Sequence, residues 1–387
     1  MKKQRTSKSY INTQHRMSFI PMIIFFAVTV SLLFGAHFFV YVSLVHFFTI
    51  SQTTYRYLLA GTLGFLSVSF ILSSFVAHYY ENLATRTAYF LSSFWLGLLV
   101  NLMVVCLIAW LVFLMGQWLH LPLGKAWVGT IFFGLALFVS FFGVWQALHP
   151  TITRVSVHIP GLPENWKGQT LVQLSDVHLG HVYQSGFLKG VVEQVNALHP
   201  KAVVITGDLF DGMDGQLEFL VQPLNDIRSS EGVFFVTGNH ETYLGVETAL
   251  SALRETSVVV LNDEVRDVAG LRLIGVSFPL RGEAKKLLPT LESLRSQFAD
   301  QPNVLLYHAP ESIAEVATRG VNLMLSGHTH QGQQFPFQFI TALVHKGFDY
   351  GLYTIGDFHL YTTSGVGTWG PTMRIGTKSE IVAITLE

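Results

Sequence analysis

Residues 17–55 run without one Lys, Arg, Asp or Glu; the only titratable side chains on the way are His37, His46, Tyr41 and Tyr55. Three more apolar runs follow, at 57–80, 87–116 and 127–148, parted by polar breaks around Arg56, around Glu81 and Arg86, and around Lys125. Each run exceeds the ~20 residues needed to cross a bilayer, so the pattern predicts four spanning helices. The first run is too long for a cleavable leader, and no small-x-small site follows it. Aromatic residues such as Tyr57, Tyr79, Tyr80, Trp118 and Trp127 gather at the run ends, where interfacial anchors belong. After Pro150 the texture changes. Short apolar β-type runs at 170–175, 202–206, 233–237, 271–276, 303–307, 321–325 and 381–386 alternate with helical patterns at 187–198, 245–256 and 284–298. That alternation predicts a layered α/β domain. The expected division is a basic N-terminus at 1–18, a membrane bundle at 19–149 and an α/β domain at 150–387.

Composition sharpens the division. Of 387 residues, half are hydrophobic and only 13% are charged, which excludes a wholly soluble or disordered chain. Residues 1–150 hold eight Lys/Arg against one acid, whereas residues 151–387 hold sixteen against twenty-four. An acidic second half argues against nucleic acid as a partner. The lone cysteine, Cys106, excludes a disulfide framework and a cysteine-based zinc site. Lys2, Lys3, Arg5, Lys8 and Arg16 precede the first run; by the positive-inside rule they hold the N-terminus in the cytoplasm. Four crossings then return the chain to that side, so the α/β domain is expected to be cytoplasmic. The spans contain no acid to pair with His37, His46 or His78, so these are read as helix-packing or interfacial histidines.

Chemistry concentrates directly after five of the β-type runs. They lead into Asp176-Val177-His178, into Gly207-Asp208-Leu209-Phe210-Asp211, into Gly238-Asn239-His240-Glu241, into His308, and into Gly327-His328-Thr329-His330. Singly, each is ordinary turn chemistry. Together they are not. Strand C-termini in a layered α/β sheet meet at one edge, where ligands bind, so residues far apart in sequence are brought into one cluster.

In this order the blocks resemble the calcineurin-like metallophosphoesterase superfamily. The stretches 173–180, 325–330 and 365–371 resemble its membrane-associated branch. One departure is Gln331, where that branch commonly has glycine. The resemblance implies a two-sheet β-sandwich flanked by helices and two divalent metal ions. Asp176, His178 and His330 would hold one ion, Asn239, His308 and His328 the other, with Asp208 bridging. A bridging carboxylate suits two cations about 3.5–4 Å apart, an arrangement that polarises a phosphoryl group and acidifies a water to hydroxide. The imidazole, carboxylate and amide set fits Mn, Fe or Zn. By the same resemblance His240 protonates the leaving oxygen and Asp211 orients it. Glu241 is expected to act behind the metal ligands. Arg374, in the glycine-rich segment 365–376, is a candidate phosphate clamp.

The function expected is a membrane-anchored, two-metal phosphohydrolase acting on a phosphodiester or pyrophosphate. Its partner would be a membrane lipid or lipid-linked phosphate, because the tether to the bundle is short and 335–340 is aromatic and apolar. The alternative is a membrane sensor or scaffold that binds without turnover. Such a protein would ordinarily lack a ligand, and all seven are present.

Overall fold

The computed structural model describes residues 19–387 except Asp214 and Arg281; for residues 19–22, 25 and 26 it describes the backbone alone. The basic cluster Lys2, Lys3, Arg5, Lys8 and Arg16 lies outside the described residues.

Four long helices come first: α1 (Phe19–Phe47), α2 (Thr53–Tyr79), α3 (Leu83–Trp118) and α4 (Lys125–Leu148). All four are long and apolar enough to cross a membrane. Their outer faces expose Leu, Phe and Trp, as a lipid-facing surface does, and the polar groups turn inward. Trp95 donates to His37 Nε2 at 2.9 Å, and Trp110 donates to Ser43 at 3.0 Å and packs on His46. The histidines of α1 are packing partners, as the sequence suggested. Asn82 caps α3 by accepting from the backbone N–H groups of Ala84 and Thr85, which fixes the tight α2–α3 turn.

Among the described residues, the second half forms twelve strands: β1 (Thr151–Val157), β2 (Thr170–Leu174), β3 (Ala202–Thr206), β4 (Val233–Val236), β5 (Val258–Val260), β6 (Glu264–Val268), β7 (Leu271–Gly275), β8 (Asn303–Leu306), β9 (Leu323–Ser326), β10 (Gly351–Ile355), β11 (Phe358–Thr362) and β12 (Glu380–Leu386). Helices α5 (Ser185–Ala197), α6 (Leu217–Val221), α7 (Asn239–Leu244), α8 (Val246–Leu253), α9 (Leu287–Leu294), α10 (Ile313–Ala317) and α11 (Phe337–Val344) lie between them. One sheet has the order β1-β12-β2-β3-β4-β5, the other β10-β11-β9-β8-β7-β6.

The two sheets pack face to face. Val204, Phe234, Leu273, Val304, Leu306, Leu325 and Ile384 fill the space between them. Strand alternation sends Val203, Ile205 and Phe235 to the opposite face, under α5, α6 and α8, and sends Leu305 and Met324 under α9 and α10. Central strands buried on both faces read as unbroken apolar runs, which is why the sequence located them. The strand expected at 321–325 is shifted to β9. Asn303 and Asn322 exchange side-chain-to-backbone bonds at 2.9 and 3.0 Å, and these hold Asn322 just ahead of the ladder.

The register sets the orientation of the whole domain. His149 and Pro150 alone separate α4 from β1. Strand β1 is parallel to β12 (Thr151↔Glu380), and β12 is antiparallel to β2 (Val382↔Gln173). Strands β2, β3 and β4 are parallel to one another. Their C-terminal ends therefore point back toward the bundle. Loops from that edge bond to it: Ser93 of α3 donates to the Gly370 carbonyl, Gln334 Nε2 donates to the Gly97 carbonyl at 2.7 Å and to Asn101 Oδ1 at 2.9 Å, and Arg374 N donates to the Gly143 carbonyl of α4 at 3.0 Å. The α2–α3 turn closes the other flank, where Glu81 pairs with Arg86 and accepts from Gln216 N at 2.9 Å.

Candidate metal centre

All five strand ends flagged in the sequence open onto this one edge. Asp176 and His178 follow β2, Asp208 follows β3, and Asn239 and His240 follow β4; His308 follows β8, and His328 and His330 follow β9. Each sheet thus supplies part of the cluster. The connecting loops turn sharply. Asp176, His178, Asp208, His328 and His330 all take left-handed φ between 49° and 70°. Each such non-glycine residue costs on the order of 1 kcal/mol or more, strain that persists only where the surroundings over-determine it. Gln331 shares that conformation at φ 52°, so the departure from glycine keeps the backbone path and adds strain. Two glycines allow the close approach. A Cβ on Gly327 would lie 2.1 Å from Asp176 Oδ2, and one on Gly238 would lie 2.2 Å from Asp208 Oδ1.

The side chains fall into two adjoining sets. In the first, His178 Nε2 and His330 Nε2 approach to 3.0 Å, and His330 Nε2 lies 3.4 Å from Asp176 Oδ1. In the second, His308 Nε2 is 3.1 Å from Asp208 Oδ2, 3.0 Å from Asn239 Oδ1 and 3.2 Å from His328 Nδ1. Asp208 stands between the sets, its carboxylate among the donors grouped with both His178 and His308. Nearly all of these groups are buried.

The residues fit a pair of cations on three grounds. Carboxylate, imidazole and amide oxygen are donors of mixed hardness that suit divalent transition metals. The Thr206 carbonyl can only accept, so His308 Nδ1 donates to it at 2.8 Å, which aims Nε2 into the cluster. The site also demands positive charge. Burial alone would lower His308, yet Asp208 and Asp176 outweigh it and push the imidazole up to about 10, while Asp208 is held far below the usual carboxylate range. Burial, aided by neighbouring imidazoles and, at His330, first by Arg374, depresses His178, His328 and His330, which keeps their lone pairs free.

Behind the candidate ligands, Glu241 accepts from the backbone N–H groups of Gly238 (2.6 Å), Asp208 (3.0 Å) and Phe210 (3.2 Å). It clamps two ligand loops together and does not face the centre, in keeping with the role expected for it. The Asp176 carboxylate likewise accepts from His328 N at 3.0 Å and ties the two sheets.

His240 adjoins both sets, its Nε2 4.0 Å from Asp208 Oδ2 and its ring edge-on to His178. The expectation for Asp211 needs correction at the level of atoms. His240 Nδ1 donates at 2.7 Å to the Asp211 backbone carbonyl; the carboxylate instead accepts from His181 N (3.2 Å) and Met213 N (3.0 Å). The loop turns the Asp211 side chain away from the histidine. Arg374 is a second correction. Its guanidinium is 0% exposed and donates to the carbonyls of His330, Ser364 and Gly367, so it braces the loop beneath His330 and presents no open face to a phosphate.

No motif in the sequence points to Tyr243. Its ring and that of Trp369, both more than half exposed, flank His240 with centroids 5.1 and 5.8 Å away. On the other side, a cleft of about 600 Å³ opens beside His328, walled by Phe278, Lys285, Glu311, His345 and Lys346. His345 belongs to none of the sequence blocks.

Comparison with known proteins agrees with this geometry. The family model for calcineurin-like phosphoesterases matches residues 170–332, which contain every candidate ligand in the two sets. An uncharacterized metallophosphoesterase of Campylobacter jejuni is 36% identical over 258 residues, covering 65% of this chain and 68% of its own. One from Helicobacter pylori is 33% identical over 259 residues, covering 66% and 69%. The transmembrane protein with metallophosphoesterase domain of Danio rerio is 32% identical over 252 residues, covering 62% of this chain and 57% of its own.

Proposed function

The chain belongs to the calcineurin-like metallophosphoesterase family and carries four membrane-type helices, and from that premise we propose that it is a membrane-anchored, two-metal phosphohydrolase whose substrate is a lipid-linked or membrane-presented phosphodiester or pyrophosphate. The observation that carries this reading is the orientation of the metal edge: the strand ends bearing the ligands point toward the bundle, and their loops bond to α3 and α4. A centre serving a freely diffusing metabolite has no need to face the anchor.

Asp176, His178 and His330 would hold one cation and Asn239, His308 and His328 the other, with Asp208 shared. When bound, two such ions supply charge to neutralise phosphoryl oxygens and lower the pKa of a water toward neutrality. The chain supplies the rest. With Nδ1–H given to the Asp211 carbonyl, His240 Nε2 is the atom left to carry the proton that the leaving oxygen needs. Tyr243 and Trp369, flanking His240, would wall the side on which a leaving group sits. Glu241, Asp176 and Arg374 hold the ligand loops in their left-handed turns.

The test compares acylated and deacylated forms of one phosphodiester on detergent-purified full-length protein with Mn added. The acylated form is expected to be hydrolysed with a kcat/KM at least about tenfold higher, since a few buried methylenes at ~0.8 kcal/mol each suffice for that ratio. Equal rates would leave the anchor and remove the lipid; no hydrolysis of either form by metal-loaded protein would favour the sensor reading.

We further propose that the catalytic domain faces the cytoplasm. Five basic residues precede α1, while Arg56 and Lys125 are the only charged residues near the opposite ends of the spans. A C-terminal reporter active only after export is expected to stay silent, and an exported signal overturns this orientation.

A further inference from the structure

Helix α11 has its polarity inverted for a water-facing surface. The exposed positions are Phe337, Phe339, Ile340, Leu343 and Val344, with Phe335 just ahead; Leu343 is 82% and Phe339 67% exposed. The half-buried positions, turned toward the protein, are Gln338, Thr341, Ala342 and His345. A helix on a soluble domain shows the opposite arrangement, apolar side in and polar side out. No Lys, Arg, Asp or Glu occurs from residue 335 to 345. An uncharged apolar face this dense marks a surface meant to be covered.

Its position names the cover. Gln334, one residue before Phe335, donates to the Gly97 carbonyl and to Asn101 of α3. Phe335 N bonds the Ile375 carbonyl at 2.9 Å, and Arg374 N, one residue before Ile375, bonds the Gly143 carbonyl of α4. The helix is thus rooted on two spanning helices, on the membrane-proximal edge of the sheets. Lys346, exposed at its end, is placed to reach phosphate headgroups while its stem follows the apolar face.

We propose that α11 is an interfacial helix lying in the surface of the bilayer that the bundle crosses, its apolar face in the headgroup–acyl boundary. This rests on the membrane reading of α1–α4 and needs no hydrolytic step. Because only residues 331–336 separate α11 from candidate ligand His330, immersion fixes the height of the metal centre above the lipid. It also makes the lipid surface one wall of the approach to that centre.

The experiment places an environment-sensitive nitrobenzoxadiazole probe at Leu343→Cys in the full chain. The chain sits in nanodiscs of phosphatidylcholine and phosphatidylglycerol with spin-labelled lipid. Cys106 is buried within α3 and stays unlabelled. The control is Glu164→Cys, in the connection at the far end of β1. Emission at 343 is expected to shift to the blue and to be quenched several-fold more than at 164, more strongly by a spin label shallow on the acyl chain than by a deep one. Quenching equal to the control overturns the proposal. So does a blue shift without quenching, which would mean that a second copy of the chain or another protein covers the helix. Neither result depends on turnover, so the substrate reading stands or falls separately.

Discussion

Asp208→Asn is expected to empty both halves of the metal centre at once and to lower turnover on the order of 10³-fold or more, the scale of losing a preorganised electrostatic group from a catalytic site. Asp208 lies among the donors of both sets, 3.1 Å from His308 Nε2 and grouped with His178. An amide keeps the shape and leaves an oxygen to accept from His240 N, now at 2.8 Å from Oδ1, so the loop has no reason to unfold. What the amide lacks is the charge. By contrast, Asp176→Asn touches only the first set. Metal content by mass spectrometry, read beside turnover of an aryl phosphodiester, separates the two variants: none or little metal for Asp208→Asn, about one ion for Asp176→Asn. A protein that kept two ions and near-normal turnover after Asp208→Asn would refute a shared bridging carboxylate.

Why the candidate ligands were legible in the sequence follows from where they sit. Strands β2, β3, β4, β8 and β9 are buried on both faces, so each is mostly apolar (only Gln173 interrupts β2), and the polar residues that follow it stand out. Edge strands lack that contrast. Strand β5 has three residues, β6 reads Glu-Val-Arg-Asp-Val, and β10 is largely exposed. What sequence could not carry was direction. Arg374 stood in a glycine-rich segment near the centre, yet whether its guanidinium met solvent or backbone carbonyls depended on how the 364–376 loop folded beneath His330. The aromatic run at 335–340 was plain, but its outward turn was set by Gln338 and Thr341 packing inward on the loop at Gly332 and Gly376.

His240→Ala is expected to keep both metals and still lose about 10²- to 10⁴-fold in turnover of an alkyl phosphodiester, the range typical of a positioned general acid. With a nitrophenyl leaving group, stable without a proton, the loss should be far smaller. That dependence on the leaving group separates proton delivery from metal holding. Asp211 supplies the sharper comparison. Since its carbonyl, not its carboxylate, accepts from His240 Nδ1, Asp211→Asn leaves the tether intact. Burial pushes the Asp211 carboxyl up to about 7 even though Met213 N and His181 N donate to it, so an uncharged side chain is close to what the site already tolerates. One of those two donors keeps an oxygen partner in the amide. Asp211→Asn is therefore expected to cost less than about tenfold, the lower bound for disturbing a group behind the ligands. If it instead matched His240→Ala with the alkyl substrate and spared the nitrophenyl one, the carboxylate itself would be the partner of the histidine during turnover, and the loop would have to rotate to bring it there.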